Sequence, residues 1–245
     1  MELITGLPNE ISTNILSFLD VRTLHRQREV SRDWKHQCTE AIRDKMEDGA
    51  GVFHNRKELK EAVGKFCKCK YDEYDAGVAE DIAKRYGWTM NEWDVSRVTD
   101  FSELFLERKS FNENISQWDM SSAVTLEGMF CEASSFNQPL DSWNVGAVTN
   151  MGNMFCEAST FNQPLGSWNV RAVMTMYEMF RGASMFNQPL GSWNVRAVMT
   201  MYEMFRGASS FNQPLESWDV GAVTNMRGMF QRASSFNQPL GSWNV

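Results

Sequence analysis

Histidine is nearly missing from this chain: there are three in 245 residues, His25, His36 and His54, and none beyond residue 54. The later chain therefore lacks the side chain best suited to moving protons near neutral pH. No Gly-rich phosphate loop follows a strand pattern, and neither G-x-S-x-G nor H-E-x-x-H occurs. The expectation is a non-enzyme with no catalytic residue and no cofactor. Cysteine is no more informative, with five, an odd number, scattered at Cys38, Cys67, Cys69, Cys131 and Cys156. A reduced, intracellular chain is the simplest reading. Cys67 and Cys69 flank Lys68, but no second pair or nearby histidine completes a four-ligand set, so no metal site is expected. No stretch approaches about eighteen apolar residues, and the opening MELITGLPNEIS lacks a basic n-region, so neither a membrane span nor a secretory signal is expected. Positive charge is also short. The net charge is −7, and residues 93–245 hold 9 basic and 14 acidic side chains, the wrong sign for tracking a phosphate backbone. Nucleic acid is thus not an expected partner. A composition of 42% hydrophobic and 22% charged residues is that of a folded chain.

What the chain has in abundance is repetition. Residues 161–185 read FNQPLGSWNVRAVMTMYEMFRGASM, and residues 186–210 differ from them only in Ser210 against Met185. The same frame runs outward in both directions: Trp93, Trp118, Trp143, Trp168, Trp193, Trp218 and Trp243 fall at one spacing of 25, as do Phe111 to Phe236 and Phe105 to Phe230. A fixed period of this length marks a solenoid. Met176, Met179, Phe180 and Ala183 have the spacing of one helical face. Trp168 and Val170 alternate with polar neighbours, as in a short strand buried on one side. Pro164 and its equivalents lack an N–H and interrupt regular structure. The expected fold class is therefore an α/β repeat solenoid, leucine-rich-repeat-like, with a short strand plus a helix in each rung. One unit buries too little to offset the ordering of its own backbone, so neighbours must stack. The asparagines after each Phe (Asn112, Asn137, Asn162, Asn187, Asn212, Asn237) are expected to satisfy turn backbone in that stack. The methionines are expected to be core.

Before the repeats, residues 7–35 read LPNEISTNILSFLDVRTLHRQREVSRDWK. Pro8 suits the first turn of a helix that places Ile11, Ile15, Phe18 and Leu19 on one side. Asp20 and Ser31 can cap two further short helices. Three helices in so few residues bury little, and such a piece expects a partner. Leu7-Pro8, Ile15-Leu16, Phe18-Leu19-Asp20 and Val30-Ser31-Arg32-x-Trp34 resemble an F-box. The resemblance implies an N-terminal all-α F-box domain docking on the Skp-type adaptor of a cullin-based ubiquitin ligase. It implies that Leu7, Pro8, Ile11, Ile15, Leu16, Val30 and Trp34 divide between adaptor contact and domain core. A plain helical cap with no adaptor is the competing reading. Residues 49–92 carry two helical patterns, Arg56 to Phe66 and Val78 to Tyr86, punctuated by glycines, and are expected to link to and cap the array. The repeats, with Trp93-Asp94-Val95-Ser96-x-Val98-Thr99-Asp100 and the recurrent Phe-Asn-x-x-Leu-x-x-Trp, resemble the BspA-type repeats of bacterial surface proteins, which recur in protists and large viruses. That resemblance implies a binding role without naming a ligand.

Domains are thus expected at 1–48 (F-box), 49–92 (linker and cap) and 93–245 (about six rungs, the last one truncated). Gly241 to Val245 opens a further rung and stops, from which poor solubility or end-to-end association is expected. Within the repeat, constant positions are explained by packing, which leaves variable ones to meet a partner. These run Gly146, Arg171, Arg196; Gly152, Tyr177, Tyr202; and Cys156, Arg181, Arg206 in successive units. Arg and Tyr dominate binding hot spots, which makes Arg171, Tyr177, Arg181, Arg196, Tyr202 and Arg206 candidates for contact with a protein target. Solubility positions copied with the unit are the alternative, and Cys131 and Cys156 are expected to be free surface thiols. The functional expectation is a substrate-recruiting subunit of a cullin-based ubiquitin ligase in cytoplasm or nucleus, host cytoplasm if viral. A structural or adhesive repeat protein is the alternative.

Overall fold

The computed structural model describes residues 51–87 and 89–244. The all-α front expected at residues 1–48 lies outside the described residues. The chain divides into two compact units; among the described residues one takes 51–52 and 64–94, the other 53–63 and 95–244. Helix α1 (Arg56–Cys67) contributes its first two turns to the second unit and its last to the first.

In the first unit a π-turn (Lys68–Asp72) leads to helix α2 (Ala76–Tyr86) and a short 3₁₀ turn (Met90–Glu92). Helix α2 begins where Asp75 accepts the N–H groups of Gly77 and Val78 at 2.9 and 3.1 Å. It ends at Gly87, whose φ of 80° suits glycine and whose N–H reaches the Ala83 carbonyl at 3.1 Å. The core forms around Trp93, with Phe66 edge-on at 5.8 Å and Tyr86 at 5.9 Å. Its indole N–H is satisfied by the Gly87 carbonyl at 2.9 Å.

In the second unit the 25-residue repeats stack rung on rung, but the helix expected over Met176 to Ala183 does not form. Residues 95–244 contain neither helix nor extended strand, and each rung touches the next through one isolated parallel bridge, as in Thr125–Asn150–Thr175–Thr200. The reason lies in how backbone groups are shared. Leu126, Gly128, Phe130 and Glu132 donate their N–H to the next rung, at Asn150, Gly152, Met154 and Cys156, over 2.7–2.9 Å. The intervening Met129, Cys131 and Ala133 donate within the rung to the residue three before, at 3.0–3.1 Å. Alternate N–H groups thus close turns and cross to the neighbour. An α-helix would direct all of them inward and leave the rungs unbonded. Turns closing over three residues also bury Met176, Met179, Phe180 and Ala183 together, each 0% exposed, and so imitate a helical face in the sequence. Two residues per rung adopt the left-handed conformation, for example Gly128 and Glu132, or Glu178 and Gly182, at φ between 51° and 68°.

Side chains bind the rungs further. Phe130 and Phe155 stack at 5.5 Å and 5°, Trp143 and Trp168 at 6.4 Å and 3°. The Trp168 indole donates to the Leu140 carbonyl in the rung before at 2.9 Å, and Trp193 repeats the bond to Leu165. The Trp–Val segment expected as a strand is instead turned at its Asn: Asn169 Oδ1 accepts the Arg171 N–H at 3.3 Å. The asparagines after each Phe form a ladder, half-buried for the most part. Asn162 Oδ1 accepts the Asn187 N–H and the Gln188 amide, both at 3.0 Å, and Asn187 receives the same pair from the following rung. At the first rung the carbonyl with no preceding rung, that of Ser102, receives the Arg56 guanidinium of α1 at 2.7 and 3.0 Å. Lys60 pairs with Glu103 at 3.7 Å alongside. No helix among the described residues is long and apolar enough to cross a membrane.

Candidate functional site

The crossing turns put one column of variable side chains along an edge of the stack. Tyr177 and Arg181 stand there, with Tyr202 and Arg206 one rung on. Arg181 bonds Glu178 at 2.7 Å and approaches Glu203 of the next rung at 3.8 Å. Arg206 bonds Glu203 at 2.6 Å. Among the described residues Glu203 is the one charged side chain classed as buried, at 7% exposure. Hydrogen bonding to Arg206 holds its carboxyl below the ordinary range, with Tyr202 and the nearby Arg181 charge adding to the effect. The guanidinium groups expected to be free for a partner are therefore already engaged on one side.

Tyr177 reaches two rungs back. Its ring lies over Gly152, where any Cβ would stand inside it, and its hydroxyl donates to Glu127 Oε1. The second oxygen of Glu127 takes the Asn150 amide at 2.9 Å, and Asn150 Oδ1 takes the Thr175 hydroxyl at 2.7 Å. Burial, then the bond to Glu127, push the Tyr177 phenol up to about 12. Tyr202 cannot copy this reach, because the position one rung back from it holds Tyr177 and not glycine. Two residues identical in sequence context thus differ in posture.

Beside this column runs a shallow groove of about 400 Å3, lined by Glu103, Glu127, Glu132, Glu157, Cys131 and Cys156 among others, with Arg181 at one end. Cys156 is buried at 5% exposure and Cys131 half-buried, so neither is the freely exposed surface thiol expected. Among the described residues no cluster of three metal-ligating side chains occurs. Arg171 and Arg196 lie elsewhere in the rung, at the Asx turn after Trp-Asn, both exposed; Arg196 approaches Asp219 at 3.6 Å. Among the described residues no hydrogen bond or ion pair joins them to the Tyr177–Arg206 column, so the six residues form two patches. Leu7, Pro8, Ile11, Ile15, Leu16, Val30 and Trp34 lie outside the described residues. Glu127, Gly152, Glu178 and Glu203 were not foreseen. The signal for the first two was the column Glu127, Gly152, Tyr177 read as neighbours; for the others it was the constant three-residue spacing from Glu178 to Arg181 and from Glu203 to Arg206.

Residues 78–188 and 165–245 match the model described as Mycoplasma protein of unknown function, DUF285. Together those ranges take in well over half of the chain, and the chain belongs to that family. Residues 4–42 match the F-box-like family, over the segment whose Leu-Pro and Val-Ser-Arg-x-Trp pattern resembles it. No curated protein and no solved structure matches the chain.

Proposed function

We propose that this chain is the substrate-recruiting subunit of a cullin-based ubiquitin ligase. The observation that carries the reading is the F-box-like match over residues 4–42 in the same chain as a repeat stack with variable side chains along its edge. F-box segments generally dock on Skp-type adaptors, and Leu7, Pro8, Ile11, Ile15, Leu16, Val30 and Trp34 would supply that contact. On this reading the repeats, of BspA type, form a leucine-rich-repeat-like solenoid whose rungs are built of turns. The solenoid presents two patches to a protein target, Arg171 with Arg196 and the Tyr177, Arg181, Tyr202, Arg206 column. Recruitment works by effective concentration: a target held on the stack meets the conjugating enzyme carried by the same assembly far more often than free in solution. The place of action on this reading is cytoplasm or nucleus. Co-expression with a Skp-type adaptor tests it. Co-purification that Leu7→Ala with Pro8→Ala removes supports the proposal; no complex with the unaltered chain, or an undiminished one with the double variant, overturns it.

A further inference from the structure

We propose that Cys131 and Cys156 form a peroxide-responsive modification site that closes to an inter-rung disulfide. The two hold the same position in adjacent rungs, and the residue after Cys131, Glu132, donates its N–H to the Cys156 carbonyl at 2.7 Å. The phenylalanines immediately before them, Phe130 and Phe155, stack with ring centroids 5.5 Å apart, so the two rungs run in register here, and backbones joined by such N–H bonds lie about 5 Å apart. That spacing falls inside the Cα separation of about 4.4–6.8 Å that a disulfide spans. Both sulfurs line the same groove and differ in access, Cys131 half-buried and Cys156 buried. Access and shelter in one pair suit an attacking thiol and a resolving thiol. The electrostatics agree with that order. The Cys156 S–H donates to the Cys131 sulfur and lowers the Cys131 thiol against the opposing pull of burial and of Glu132, Glu157 and Glu178. The same bond and burial push the Cys156 thiol up, and Arg181, which holds this position in the next rung, draws it down. Cys67 and Cys69 offer no such pair, since both are buried and the Cys69 thiol is directed to the Asp75 carbonyl at 3.3 Å.

The oxidant is a hydroperoxide. The Cys131 thiolate attacks one peroxide oxygen, the O–O bond breaks, hydroxide leaves, and the sulfur becomes a sulfenic acid. Cys156 then gives up its proton and its sulfur displaces hydroxide from Cys131; proton and hydroxide join as water. Two thiols and one hydrogen peroxide yield one disulfide and two waters. The bond locks the two rungs together along the acidic groove and changes the surface offered beside Tyr177.

The test uses the reduced, full-length chain at low micromolar concentration, hydrogen peroxide, alkylation of remaining thiols, and peptide mass mapping. The expected product is a monomer about 2 Da lighter, with the Cys131 and Cys156 peptides linked. In Cys156→Ser, Cys131 is captured by dimedone as sulfenic acid at least tenfold faster than Cys67 or Cys69; in Cys131→Ser, Cys156 stays unmodified. Linkage between chains, linkage to another cysteine, or a Cys131 no faster than Cys67 and Cys69 overturns the proposal. The unaltered chain alone decides the linkage, so a variant that fails to fold leaves the test intact.

Discussion

At the scale of single residues, the variable positions are governed by what stands one rung below them. Tyr177 lies down because Gly152 is beneath it, and it closes on Glu127; a Cβ at Gly152 would occupy the ring's place. Gly152→Ala should therefore cost about 1–2 kcal/mol, as overpacking of a settled contact does. In a Tyr177→Ala background the same substitution should cost almost nothing, and chemical denaturation of the four proteins in the cycle checks the coupling. Glu203 gives a second expectation. Its folded-state carboxyl is held below its ordinary value by Arg206. A depressed carboxylate stabilises the fold above its unfolded pKa and loses that stabilisation as pH falls through the folded value. The Tm deficit of Glu203→Gln should thus be full at neutral pH and shrink as pH drops from about 5 to about 3. A deficit that is constant across that range would show that the charge is not what matters.

At the scale of elements, side-chain spacing separates some features of the fold and not others. The rings were legible: Phe161, Phe186 and Phe211, one per unit, stack at 6.0 Å as their spacing implied. Helices α1 and α2 were legible too, Arg56–Cys67 and Ala76–Tyr86 against expected spans of 56–66 and 78–86, because each carries helical apolar spacing and opens on a side-chain cap, Asn55 for the first and Asp75 for the second. The rung interior was not. The Met176, Met179, Phe180, Ala183 spacing belongs equally to a helix and to consecutive three-residue turns, and only the N–H traffic between rungs separates them. Side-chain pattern carries no record of where an N–H points. Left-handed positions such as Glu132 and Glu157 were one overlooked hint, since glycine replaces them at Gly182 and Gly207 in the copied units. The asparagine ladder stands in for the missing regular structure. Asn187→Ala should leave the Asn212 N–H without its acceptor, currently at 2.9 Å, and cost about 1–2 kcal/mol. Asn187→Asp keeps an oxygen in place and should recover most of that loss; equal denaturation midpoints for the two variants would refute the ladder's role.

On the scale of the whole molecule, the chain reads as two tasks in series: a front segment that matches an F-box-like family over residues 4–42 and a repeat stack that displays side chains. The stack's interior is fully occupied by packing, with Phe155, Phe180 and Phe205 each 0% exposed, which confines any partner to the edges and the Asx turns. On the proposed function, adaptor binding at the front and target binding on the stack should therefore be separable. The most direct measurement is calorimetric titration of a Skp-type adaptor into the full-length chain, into its Leu7→Ala, Pro8→Ala variant, and into its Arg171→Ala, Arg196→Ala variant. The account predicts that the front variant loses at least tenfold in affinity while the exposed-arginine variant binds like the unaltered chain. Adaptor binding that survives the front substitutions, or that falls with the arginines, would contradict it.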